Sequence, residues 1–151
     1  MSKITEVAEL VEKGKAKLVG AAVQGALDEG CDATEILSSM IDAMAVVGEK
    51  FKNGEIFVPE MLVAARAMKK GVEVLKPHLA SGSTGALGKV IIATVSGDLH
   101  DIGKNLVAMM IESAGFEVID LGVDVPAAKI IECYKENPDV KIIALSALLT
   151  T

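Results

Sequence analysis

Tryptophan is absent from this chain, and one tyrosine and three phenylalanines make up its whole aromatic content. A core therefore has to be built from Val, Ile, Leu, Ala and the seven Met. Basic residues are in deficit too, since 15 Lys and Arg stand against 21 Asp and Glu, a net charge of −6. Nucleic-acid binding rests on clustered cations that neutralise phosphates, so this balance argues against a nucleic-acid partner. Long apolar runs are also missing. No stretch reaches the roughly 18 residues of a membrane span, and Met1-Ser2-Lys3-Ile4-Thr5-Glu6 lacks the apolar run of a secretory signal. The expectation is a soluble, cytoplasmic protein without a membrane partner. Cysteine is limited to Cys31 and Cys133, with no CxxC or Cys/His spacing, and both read as reduced thiols.

What is present changes character along the chain. Residues 3–29 carry helical spacing at Ile4, Val7, Ala8, Val11, Leu18, Ala22, Val23, Ala26 and Leu27, with Gly14 placed to break the segment in two. Gly30 suits a helix stop, and Asp32 with Glu35 resembles a capping box for a helix burying Ile36, Met40, Ile41, Met44 and Val47. Asn53-Gly54 marks a turn. Pro59 then opens a helix with Met61, Leu62, Ala65, Met68, Val72 and Leu75 on its apolar side. Residues 1–79 read as a helical bundle, and the small-residue tract 80–88 as a flexible linker. From residue 89 to 151 the pattern alternates: a strand over 90–95, a helix from about 103 to 114, a strand over 116–121, a helix from Pro126, and a strand over 140–145. This order implies right-handed crossovers and a partial doubly wound, Rossmann-like parallel sheet. Such domains usually have five or more strands, so the end at Thr151 reads as a fragment or as a unit completed by another chain.

The chemistry concentrates in Ser96-Gly97-Asp98-Leu99-His100-Asp101-Ile102-Gly103-Lys104-Asn105, between the first of these strands and its helix. In open α/β sheets this carboxyl edge binds ligands. A dinucleotide site needs GxGxxG, but the loop has only Gly97 and Gly103, and Asp98 and Asp101 would repel a pyrophosphate. A phosphate-cradling GxxxxGK[ST] loop fails as well, because the glycine spacing is one residue too long and Asn105 stands at the magnesium-binding Ser/Thr position. Asp98 and His100 remain. A carboxylate bound to one imidazole nitrogen fixes the tautomer and makes the other a better metal donor. A loop histidine is also common as plain scaffolding, and no second ligand is adjacent. A metal at His100 would therefore arrive inside a cofactor.

Asp98-x-His100-x-x-Gly103, followed after residues 104–145 by Ser146-x-Leu148, resembles the signature of corrinoid proteins and of the cobalamin-binding module of methionine synthase. With the helical segment, including Gly54-Glu55-Ile56-Phe57-Val58-Pro59-Glu60, the resemblance spans the chain. It is strongest to small corrinoid proteins that carry methyl groups between two methyltransferases. It implies a flavodoxin-like cobalamin domain behind a helical cap, and cobalamin bound base-off with His100 as the axial cobalt ligand. Asp98 would hydrogen-bond His100, and Gly103 would leave room for the nucleotide tail. Ser146 and Leu148 would line the tail pocket, with Gly97, Asp101, Ile102 and Thr150 around it.

The helical bundle would then cap the upper cobalt face. Met44, Val47, Met61, Ala65 and Met68 are candidates to face the cofactor, Met61 and Met68 foremost, although all five also fit helical core spacing. The implied partners are a substrate-specific methyltransferase, a methyl-acceptor methyltransferase and a reductive activator. The chain would be a carrier subunit more than a stand-alone catalyst. A cobalamin-dependent sensor and an isomerase subunit are the rival readings. The departure is at the C-terminus, where the family continues for about two strands and a Gly-Gly element. Weaker tail binding and an open strand edge prone to self-association are expected from that difference.

Overall fold

Four helices form the first part of the structure, three of them with a side-chain bond at the N-terminus. In α1 (Lys3–Glu12) the Ser2 hydroxyl accepts the Thr5 N–H at 3.2 Å. The turn around Gly14 separates it from α2 (Ala16–Asp28), as the glycine suggested. Asp32 caps α3 (Ala33–Lys52) by accepting the N–H groups of Thr34 and Glu35 at 2.9 and 3.1 Å. At the start of α4 (Val58–Leu75), with Pro59 in its first turn, the Glu60 carboxylate accepts the Phe57 N–H at 3.1 Å. These bonds satisfy helix donors that have no partner within the helix. The computed structural model describes residues 2–79 and 87–148. Internal packing divides the chain into two units, Met1–Gly85 and Ala86–Thr151.

In the helical unit the buried side chains repeat at helical spacing: Val7 and Val11, then Val19, Val23 and Ala26, then Ile36, Met40, Ala43, Met44 and Val47, then Ala64, Ala65, Met68 and Leu75. Two expectations need correction. Leu18 is 56% exposed because the α2 stripe runs through Val19 instead, one residue and about 100° further round the helix. Ile41 is only half-buried, with Met40 and Met44 taking the inner positions. Gly14 has φ of 65°, and a Cβ there would lie 2.7 Å from Val63 Cγ1 and 3.1 Å from the Val63 backbone carbon. Gly14→Ala is therefore expected to destabilise the protein by about 3 kcal/mol, combining left-handed strain with overpacking. Urea denaturation should show a lower midpoint at unchanged slope.

The second unit is a three-stranded parallel sheet in the order β2-β1-β3. Its elements are β1 (Lys89–Thr94), α5 (Ile102–Ser113), β2 (Glu117–Asp120), α6 (Ala127–Glu136) and β3 (Val140–Ser146). Leu87 and Gly88, assigned to the linker by composition, already join the sheet margin: the Leu87 N–H donates to Gly115 and the Glu117 N–H to Gly88. The rest of the expected linker, 80–86, lies outside the described residues. β1 is central and buried throughout Val90–Thr94, which explains its unbroken aliphatic sequence. Ile91 packs with Cys133 and Val140, and Ala93 with Val125 and Ile130. Cys133 is thus a core residue, and Cys31 is a half-buried free thiol of the helical unit. On β3, Ile142 and Leu145 are at least half exposed and Ile143 is 44% exposed, so apolar side chains remain uncovered on both faces of that strand.

Candidate cofactor site at the carboxyl edge of the sheet

Thr94 ends β1 opposite Ser146 of β3, so the loop that follows emerges where the first and third strands lie side by side. The turn is tight. Gly97 has φ of 82°, which an L side chain rarely adopts, and the Asp98 N–H closes back on the Val95 carbonyl at 3.1 Å. Asp98 then points inward, its side chain fully buried.

A buried carboxylate needs donors, and Asp98 has three. Its Oδ1 accepts the His100 backbone N–H at 2.9 Å and lies 2.7 Å from His100 Nδ1, while its Oδ2 accepts the Leu148 N–H at 2.5 Å. The Leu148 N–H, then the backbone and ring N–H of His100, hold the Asp98 carboxyl down at a pKa of about 2, against the opposing effect of burial. Ionised, Asp98 can only accept, so in the neutral imidazole the proton sits on Nδ1 and Nε2 keeps its lone pair. The imidazole is 64% exposed, which leaves that lone pair accessible. The His100 carbonyl accepts the Thr94 hydroxyl at 2.8 Å. His100 is therefore fixed at its N–H, its C=O and one ring nitrogen.

The low Asp98 pKa has a stability consequence. The folded value lies below the ordinary 3.8, so the contribution is complete above about pH 5 and fades as pH falls toward 2. The difference in thermal midpoint between wild type and Asp98→Asn should accordingly be largest at neutral pH and close progressively below pH 5. A difference independent of pH would contradict an ionised Asp98.

The surroundings of His100 are apolar and open. Leu99, Ile102 and Leu148 are 72%, 78% and 57% exposed. Gly103 sits in the first turn of α5, and a Cβ built there would meet no atom within 4 Å. Asp101 caps that helix through its backbone, its carbonyl accepting the Asn105 N–H at 2.8 Å. The structure thus gathers Gly97, Asp98, His100, Asp101, Ile102, Gly103, Ser146 and Leu148 at one edge. Met61 and Met68 lie on α4 of the helical unit, half-buried and buried respectively. Thr150 lies outside the described residues.

The contacts of three polar residues at this edge escaped the sequence reading. The Lys104 ammonium is buried and donates to both Asp120 oxygens at 2.7 Å and to Asn105 Oδ1 at 2.8 Å. Burial raises the Asp120 pKa, but the Lys104 hydrogen bond, the Gly122 N–H and the Lys104 charge outweigh it and leave the carboxyl below its ordinary value. Lys104 is thus turned into the protein, a second reason why Gly103-Lys104 is no phosphate loop. Asp124, in the loop between β2 and α6, accepts the Gly97 N–H at 2.7 Å. Its only sequence signal was its place after a strand, at the ligand-binding edge of such sheets. Among the described residues, no three His, Cys, Asp or Glu side chains are grouped to hold an ion, and no helix is long and apolar enough to cross a membrane.

Comparison with known proteins finds relatives over both units. Two models, each described as a B12 binding domain, match residues 4–76 and 88–151. Trimethylamine corrinoid protein 1 of Methanosarcina acetivorans is 44% identical over 138 residues, covering 89% of this chain and 63% of that protein. A corrinoid protein of Desulfitobacterium hafniense is 37% identical, covering 100% of this chain and 71% of that one. The crystal structure of the methanol:cobalamin methyltransferase complex from Methanosarcina barkeri contains a chain that superposes with a TM-score of 0.88 at 30% identity, over 98% of this chain and 57% of that one. The chain therefore spans less than two thirds of the trimethylamine relative's length.

Proposed function

The chain belongs to the B12-binding corrinoid proteins, and from that premise we propose that it carries methyl groups on a corrinoid between partner methyltransferases. The observation that supports this best is the Asp98–His100 pair. A buried carboxylate 2.7 Å from Nδ1 leaves Nε2 as an oriented, exposed donor among uncovered apolar side chains. This donor set fits a planar, largely apolar metal macrocycle that brings its own equatorial ligands. When bound, the corrinoid supplies a cobalt centre able to accept and release a methyl group.

The chain's own residues would do the rest. His100 would occupy the lower axial position in place of the cofactor's own base. Asp98 would hold the Nδ1 proton and raise the basicity of Nε2. The open space at Gly103 would admit the nucleotide tail, with Ser146, Leu148 and Thr150 along its path and Gly97, Asp101 and Ile102 around its entrance. We assign 87–151 to cofactor binding, 1–79, with Met61 and Met68, to the cap, and the residues between them to a connection; these assignments rest on the family likeness.

The partners we propose are a methyltransferase specific for the methylated substrate, one for the acceptor, and a reductive activator. Trimethylamine and methanol appear in the descriptions of similar proteins, which makes methylamines and methanol the first donors to test. The uncovered apolar side chains of β3 support self-association through that strand. A cytoplasmic location agrees with two free cysteines. The test is direct: the protein mixed with hydroxocobalamin should retain the cofactor through gel filtration and give a base-off spectrum. No retained cofactor would overturn the reading.

A further inference from the structure

Among the described residues, Asp124 is the only one other than glycine with a positive φ, 51°. That conformation is costly for an L-residue and persists where the surroundings determine it. Here the surroundings are the His100 loop. Asp124 Oδ1 accepts the Gly97 N–H at 2.7 Å, and the Asp124 N–H donates to the Asp98 carbonyl at 2.9 Å. Residues 97 and 98 are thus clamped from the β2 side by one amino acid, through its side chain and its backbone together. The neighbours of Asp124 tie that loop to β1. The Thr94 N–H donates to Gly122 at 2.9 Å and the Val125 N–H to Thr94 at 3.0 Å. The clamp therefore stands on the central strand rather than on a free loop.

With Asp124 in place, every hydrogen-bonding group of Asp98 is engaged. Its N–H goes to Val95, its C=O to Asp124, one carboxylate oxygen to His100 and the other to Leu148. The imidazole direction depends on Asp98, because Oδ1 holds both the His100 backbone N–H and its ring. Any rotation of the Gly97–Asp98 segment is passed on to Nε2. Metal ligation is sensitive to such tilts, and partners behind a ligand commonly change affinity by about 10–100-fold.

We propose that Asp124 is a positioning residue for the axial ligand: by clamping Gly97 and Asp98 it sets the direction of His100 Nε2 and so the strength of axial coordination. This rests on the reading of His100 as a corrinoid ligand. The required chemistry is a short oxygen acceptor on a residue that tolerates left-handed backbone, so Asn should substitute. Glycine keeps the backbone conformation and removes the acceptor, which separates the carboxylate's effect from that of the φ angle.

The experiment compares wild type, Asp124→Asn and Asp124→Gly. Each is loaded with hydroxocobalamin and reduced to Co(II), and the paramagnetic resonance spectrum gives the ratio of cobalt with and without axial nitrogen splitting. Asp124→Gly should lower that ratio about fivefold, because the side-chain acceptor of the Gly97 N–H is lost. Asp124→Asn should stay within about twofold of wild type. In the cofactor-free protein, hydrogen exchange at the Gly97 amide should accelerate in the glycine variant and not in the asparagine variant. A glycine variant that melts earlier yet keeps the wild-type ratio would show a structural role only and overturn the proposal. Wild type without nitrogen splitting would overturn the ligand assignment itself, a result distinct from the first.

Discussion

His100→Ala is expected to abolish the axial nitrogen splitting of the Co(II) signal and to lower cofactor retention by more than about tenfold. The imidazole is 64% exposed, so its removal opens no cavity, and the folded protein should survive the change. What the variant leaves behind is informative. Asp98 keeps the backbone N–H groups of residue 100 and of Leu148 as donors, so its carboxylate stays anchored in the cofactor-free protein. Circular dichroism should then match wild type while the cobalt spectrum does not. Identical spectra in both proteins would remove His100 from the site. Asp98→Ala should give a partial effect of the same sign, because the ligand remains but its tautomer is no longer held.

Gly103→Leu should move stability and cofactor binding in opposite directions. A Cβ at this position would meet no atom within 4 Å, so the fold itself does not demand glycine there. Glycine inside a helix costs roughly 1 kcal/mol relative to good helix formers. The leucine variant should accordingly match or exceed wild-type stability, by up to about 1 kcal/mol given its place in the first turn. Cobalamin retention should nevertheless fall by about tenfold or more, because the side chain fills the space assigned to the nucleotide tail. Thermal melts of the cofactor-free protein and gel filtration with cobalamin read the two effects separately. A variant that is both stable and fully competent to bind would redirect the tail away from Gly103.

These two residues were legible in the sequence for a physical reason. Asp98 and His100 are two residues apart on a turn, so their contact is nearly guaranteed by covalent geometry once the loop forms. Gly103 follows immediately and opens the helix. The strand before them was equally legible, because a central strand buried on both faces has to be aliphatic throughout. Capping residues told the same kind of local story at Asp32 and Pro59. Helix rotation was less secure. With alanine, valine and leucine adjacent in α2, the apolar pattern permits more than one inward face, and packing chose Val19 over Leu18.

By itself, then, the sequence determined the order of elements, the parallel architecture and the loop with its Asp98–His100 pair, because each depends on neighbours within a few residues or on period. The tertiary structure alone decided how that loop is held. Leu148 reaches Asp98 only because β3 lies beside β1, with Ser146 opposite Thr94. Asp120 meets Lys104 only because β2 lies on the other side. Asp124 meets Gly97 only because the chain leaving β2 returns along the end of β1. Those partners are separated by 50, 16 and 27 residues. Sheet order and register, rather than any local preference, bring them within hydrogen-bonding distance.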